Sequence, residues 1–220
     1  VDGTVLKPGE VFSMNDIVGE RTVENGFTAG TIISNGVFKE DLGGGVSQMA
    51  TTLFNAAFFA GLEDVEHKPH SFYIDRYPVG REATVAWGSV DLRFKNNTDY
   101  GVLISAKVTP GVSSQGVVTV TMYSTKVWDI TTKTSDRYNY RAATTGHITT
   151  PGCVPNAGSS SGFDVDYWRY FHEPGKKKVE KTEKFHASYI AVDRVVCGPP
   201  PGQDDDKKDD GNKGNKNANN

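Results

Sequence analysis

The chain has 220 residues, 36% of them hydrophobic and 10% aromatic, with a formal net charge of −3. That length supports one sizeable domain or two small ones sharing a core. The charge balance, with Lys176 to Lys178 as the one basic run, lacks the footprint of a nucleic-acid binder, and no apolar run reaches the ~18 residues of a membrane span.

The first hundred residues read as a mixed α/β unit. "GTVLKPGEVFSMNDIVG" sets short apolar runs between Pro-Gly and further glycines. "GTIISNGVFKE" carries Asn35-Gly36 between apolar residues, a strong hairpin signal. Gly43, Gly44 and Gly45 then lead into one helix. Val46, Met49, Ala50, Leu53, Phe54, Ala57 and Phe58 follow the i, i+3, i+4 rule and predict a buried stripe, with Gly61 as C-cap. Beyond it, "SFYI" reads as a strand beside the helix. "TVAWGSVDLRFKNNTDYGVLISAKV" reads as two antiparallel strands around an Asn-Asn-Thr-Asp turn, and "GVVTVTMYSTKVWDITTKT" continues the alternation. The Asn96-Asn97-Thr98 sequon match carries no weight.

From about Thr150 the character changes. "PGCVPNAGSSSGF" is a loop; "FDVDYWRYFHE" and "VEKTEKFHASYIAVDRVVC" are long strands joined by a Pro-Gly-Lys turn. Cys153 and Cys197 are the two cysteines and lack metal-type spacing. A disulfide between them, worth about 4 kcal/mol for a loop of that length, would point outside the cytoplasm; two buried free thiols are the alternative. The tail "PPPGQDDDKKDDGNKGNKNANN" cannot bury a core and reads as disordered. The predicted class is therefore α+β. Residues 1–108 form the mixed domain with one prominent helix, 109–198 a small β-rich module, and 199–220 the tail. No signal peptide opens the chain, so it reads as a piece of a larger protein whose export signal, if any, lay upstream.

Ser47 has two readings. Glycines before a helix start allow close backbone approach, and free N–H groups there attract negative charge. Such geometry suits a nucleophile over an oxyanion hole built from the N–H groups of Val46 to Gln48. The plainer reading is a serine N-cap after a glycine turn. Gln48, Thr51 and Asn55 continue an uncharged polar stripe, consistent with a lined cleft. Downstream, "EHKPHSFYIDRYPVGREATV" offers His70, or else His67, as a base, with Asp75 or Asp91 to orient it; Arg81 and Glu82 lie close by in sequence. Arg76 and Arg81 are candidates for holding a ligand carboxylate through paired donors. Two histidines without a third ligand do not make a metal site, and no cofactor motif occurs.

"DGTVLKPGEVFSMNDIVGERTVENGF", "GGGVSQMATTLFNAAFFAGL" and "PHSFYIDRYPVGREATVAWGSVDLRFKNNTDYGVLISA" resemble the VanW-like domain over about residues 2–108. The continuation resembles the β-rich G5-type modules that often follow it. The resemblance implies a bacterial cell-envelope protein, exported or membrane-anchored, of a family named from vancomycin B-type glycopeptide resistance. Many relatives carry cysteine at the position of Ser47, in a Gly-Gly-Gly-x-Cys-Gln pattern. Serine keeps that geometry but depends more on a general base. The leading expectation is a domain binding a peptidoglycan peptide or another wall polymer through a cleft at the helix start. The rival is a serine acyl-transfer enzyme, an amidase or transpeptidase acting on stem-peptide amides; a structural spacer between wall modules is the third.

Overall fold

The computed structural model describes residues 1–34, 37–43, 45–111, 116–150, 153–158 and 160–200, with backbone alone for 31–41. The Asn35-Gly36 turn, Gly44 and most of the expected disordered tail lie outside the described residues. Among the rest, fourteen strands accompany two helices, α1 (Met14–Val18) and α2 (Val46–Ala60). The expected α+β architecture with a mixed α/β N-terminal domain is thus overturned: the fold is mostly antiparallel β. The reason is local. Outside α2 and the single-turn α1, the apolar runs of the first hundred residues are too short and too often cut by glycine to sustain a helix, and several of them pair as short strands.

The N-terminal half holds three small sheets. β1 (Val5–Leu6), β7 (Val102–Thr109) and β8 (Val117–Tyr123) form one. β2 (Val11–Ser13), β6 (Arg93–Lys95) and β5 (Glu63–Glu66) form the second. β3 (Ala29–Ser34) and β4 (Val37–Leu42) make a hairpin with Ser34 opposite Val37. The segment expected to be one hairpin, residues 84–108, divides instead. β6 joins β2 and β5, whereas β7 joins β1 and β8. Asn96 at the joint is fully buried and donates through Nδ2 to the carbonyls of Leu6 and Tyr100, which turns the chain from one sheet into the next. β7 runs through residue 108 and pairs with β8 along its length, so this sheet spans the expected domain boundary.

In the C-terminal half, β12 (Gly162–His172) is the central strand. It pairs with β13 (Lys181–Tyr189), β10 (Tyr138–Arg141) and β9 (Asp129–Thr134), while β11 (Thr145–Ile148) and β14 (Arg194–Cys197) pair in parallel. Phe163 lies opposite Tyr189 and Phe171 opposite Lys181, the long hairpin read from the alternation. Cys153 and Cys197 form a disulfide with Cα atoms 5.8 Å apart. Thiol titration of the unfolded, unreduced protein should therefore detect no free thiol; two titratable thiols would contradict the bridge.

The two halves share a core. Ala50, Leu53, Phe54, Ala57 and Phe58 of α2 are buried with Phe12, Met14, Leu92, Phe94 and Ile104; Val46 and Met49 pack at its edge. Tyr167 of β12 belongs to the same cluster. Gly61 closes α2, its N–H reaching back to the carbonyls of Ala57 and Phe58.

Candidate functional site

The start of α2 is unusual for a helix of 15 residues. Its N-cap is Gly45, at φ +90°, with no side-chain cap and no acidic residue in the first turn. The helix's own first turn thus supplies no side-chain anion to the positive end of its dipole. Val46 N–H turns back to the Gly43 carbonyl at 3.2 Å, and Gln48 N–H to that of Gly45 at 3.1 Å, so neither is spare for an oxyanion. Ser47 is the second helical residue and does not cap the helix. Its Oγ meets Thr84 Oγ1 at 3.2 Å. The plain N-cap reading of Ser47 is thereby corrected.

Gly43 allows a close approach. At φ +92°, a Cβ there would stand 2.9 Å from Cγ of Arg21, whose Nη1 donates to the Gly19 carbonyl. Gly43→Ala should cost about 1–3 kcal/mol in denaturant unfolding, from strain at positive φ together with that clash. An unchanged midpoint would show that Arg21 yields freely.

The polar stripe of α2 pairs with an extended stretch of chain. Asn55 Nδ2 donates to the Arg81 carbonyl at 2.9 Å, and also to that of Thr51. Thr51 Oγ1 donates to the Ala83 carbonyl at 3.0 Å and accepts from Ala83 N–H at 3.1 Å. Ser47 meets Thr84 at the end of the row. Positions 47, 51 and 55 therefore fasten residues 81–84 antiparallel along the helix. Thr51 and Asn55, expected to line a cleft, are consumed by this pairing. Only the Ser47 end opens into space.

Between Arg81 and Ala83 the side chain of Glu82 turns inward and is fully buried. Its Oε1 accepts from the Tyr189 hydroxyl at 2.5 Å, and its Oε2 lies 2.5 Å from Nδ1 of the buried His70. Gly80 N–H donates to the Tyr189 hydroxyl oxygen at 2.9 Å. A carboxylate accepts only, so Nδ1 is the ring nitrogen that donates to it. Burial first, and then the Glu82 charge, pushes the Tyr189 hydroxyl far above its ordinary pKa, which keeps it a donor. The carboxylate behind His70 is thus Glu82, in place of the expected Asp75 or Asp91. Asp75 is exposed. Asp91 is occupied at the start of α1, accepting from Ser13 Oγ at 2.6 Å and Asn15 N–H at 2.9 Å.

Ser47, Gln48 and His70 line one cavity of about 600 Å³, whose wall also includes Gly43, Gly45, Arg21, Arg76 and the exposed Trp87. Tyr77 lies parallel to the His70 ring at 5.3 Å. Arg76 stands over Tyr77 at the cavity wall. Arg81 is elsewhere: its guanidinium sits over the rings of Phe58 and Phe59, at 5.7 and 5.1 Å. His67 is also elsewhere, stacked on Phe54 at 4.2 Å, with Asp64 on Nδ1 and the Tyr167 hydroxyl on Nε2. The "SFYI" segment forms no strand; the Ser71 carbonyl accepts from Ile190 N–H at 2.8 Å. Sequence reasoning passed over Glu82 as an anchoring carboxylate. Its one local signal is a lone acid just before Ala-Thr-Val-Ala-Trp.

A family model described as VanW like protein matches residues 1–123. An uncharacterized protein, YoaR of Bacillus subtilis, is 40% identical over 127 residues, covering 58% of this chain and 40% of that protein. The vancomycin B-type resistance protein VanW of Enterococcus faecalis is 28% identical over 106 residues, covering 45% of this chain and 38% of its own length. The matched stretch is thus about two fifths of each relative. No solved structure matches the chain.

Proposed function

The chain belongs to the VanW-like family, and from that premise we propose that it is a cell-envelope domain whose cavity at the start of α2 binds a peptidoglycan peptide or another wall polymer. The observation that carries this reading is the meeting of Ser47, Gln48 and His70 in one cavity of about 600 Å³. That volume falls within the range of small-molecule and peptide-end pockets. The wall mixes the hydroxyls of Ser47, Thr84 and Tyr77 with an amide, an imidazole, two guanidinium groups, the Glu20 carboxylate and the Trp87 indole. Such a set suits a short peptide with polar backbone, a charged end and apolar methyl groups. The Cys153–Cys197 bridge supports an oxidising, extracytoplasmic setting. The name of the Enterococcus relative, a vancomycin B-type resistance protein, agrees with a task at the cell wall. No helix among the described residues is long and apolar enough to cross a membrane.

Co-sedimentation with purified wall sacculi tests the reading. The wild-type protein sediments with them. Ser47→Trp, which fills the cavity, abolishes sedimentation, and Ser47→Ala retains it. A wild-type protein that stays in the supernatant ends the proposal.

The buried pairing of His70 with Glu82 favours a second reading, acyl transfer at the same cavity. Ser47 Oγ would attack a stem-peptide amide carbonyl and pass its proton to His70 Nε2, with Glu82 holding the ring. That proton would then go to the leaving amine as the C–N bond breaks. On this reading Ser47→Ala abolishes cleavage of stem peptides while leaving their binding in place. The Ser47 hydroxyl pairs with Thr84, so binding remains the leading reading.

A further inference from the structure

The family match ends at residue 123, yet the buried carboxylate behind His70 is completed from residue 189. Both oxygens of Glu82 are occupied, one from each side. Oε2 takes His70, from the matched region, and Oε1 takes Tyr189, from β13. Without the Tyr189 hydroxyl, Oε1 would lie in a sealed interior with no donor, and the Gly80 N–H would lose its acceptor as well. The backbone around Glu82 is shaped for this contact. Gly80 lies at φ +78°, and a Cβ there would stand 2.8 Å from Cδ1 of Tyr167, so the turn lies directly on β12 and β13. On the opposite side Thr51 and Asn55 bind the backbone of Ala83 and Arg81. The segment carrying Glu82 is therefore clamped between α2 and the C-terminal sheet.

We propose that the C-terminal β-region is a working part of the site, and that Tyr189 is a positioning residue acting through Glu82 to hold the His70 ring at the cavity wall. A free carboxylate oxygen would pull Glu82 toward any other donor, and the imidazole would follow it. With Oε1 held by Tyr189, the carboxylate can offer only Oε2, and Nδ1 has one direction in which to donate. The consequence for function rests on the reading of the cavity as a wall-peptide site; the positioning itself does not.

Proton NMR of the full chain at low temperature tests the positioning directly, through the His70 Nδ1 proton in its short bond to Glu82. Tyr189→Phe keeps the ring in its aromatic cluster with Tyr73 and Phe163 and removes only the hydroxyl. It should move the His70 Nδ1 resonance away from its wild-type position and lower affinity for a soluble stem peptide severalfold. Tyr73→Phe, in the same cluster but with no bond to Glu82, should leave that resonance in place. Should Tyr189→Phe fail to fold, Glu82→Gln in an otherwise wild-type chain answers the same question. It should shift the His70 Nδ1 and Tyr189 hydroxyl protons together, and a shift in one alone breaks the relay. An unmoved His70 resonance in folded Tyr189→Phe overturns the proposal. If instead the resonance moves but the wild-type protein takes up no stem peptide, the positioning stands and the wall-peptide reading falls.

Discussion

Arg169→Leu should destabilise the protein by about 3–5 kcal/mol, the cost of breaking a buried ion pair from one side. Arg169 is almost wholly buried. Its Nη1 donates to the carbonyls of Phe58 and Leu62 at 3.1 and 3.0 Å, while Nε and Nη2 both bind Glu183 Oε2. One guanidinium thus caps the C-terminal end of α2 and ties it to β12 and β13. Removing it leaves the Leu62 carbonyl without that donor, takes one of two donors from the Phe58 carbonyl, and deprives Glu183 of its buried partner. Glu183 keeps some contact with water and with Lys181, which places the loss toward the lower end of the range. Arg169→Leu combined with Glu183→Leu should recover part of the loss, because the one charge then left without its partner, Lys181, is exposed to water. Denaturant unfolding measures both variants. A single-variant loss below about 1 kcal/mol would show that the pair does not couple the two halves.

Leu53→Ala should cost roughly 2–5 kcal/mol, because Leu53 is fully buried in the shared core. The more telling comparison is Asn55→Ala. Were Asn55 on an open cleft or in solvent, its loss would be near zero. Its amide holds the Arg81 and Thr51 carbonyls, so the change should cost about 1–3 kcal/mol. Thr51→Val, which keeps the shape but removes the hydroxyl that both donates to and accepts from Ala83, should behave alike. Losses at 51 and 55 indistinguishable from those of surface substitutions would dissolve the pairing of α2 with residues 81–84.

Several features were legible in the sequence because they depend on neighbours a few residues apart. The spacing of Leu53, Phe54, Ala57 and Phe58 located the buried face of α2. Alternation in "FDVDYWRYFHE" located β12, and the isolation of Cys153 and Cys197 favoured their bridge. His70, offered by the sequence as a base, lines one cavity with Ser47. The misreadings share a cause: local patterns with two tertiary outcomes. An uncharged stripe at positions 47, 51 and 55 describes a ligand cleft, and it describes equally well a helix face bonded to backbone. Only the partner segment decides between them. The turn after β6 looks like a hairpin turn until Asn96 bonds to Leu6, 90 residues earlier in the chain. The orienter of His70 was sought at Asp75 and Asp91 because they are acids at suitable sequence distances. Glu82 fills the place because Tyr189, 107 residues further on, reaches it. Nothing within a window of a few turns of chain encodes that contact.

The central claim is that the cavity bounded by Ser47, Gln48 and His70 receives a wall peptide. The most direct measurement is a chemical-shift titration of the isotopically labelled protein with a soluble stem peptide. The account predicts saturable shifts concentrated on the Gln48 side-chain amide, the His70 ring, the Trp87 indole N–H and the backbone of residues 45–48, all absent in Ser47→Trp. Shifts that fail to saturate, or that gather on the C-terminal sheet while residues 45–48 stay unmoved, would contradict it.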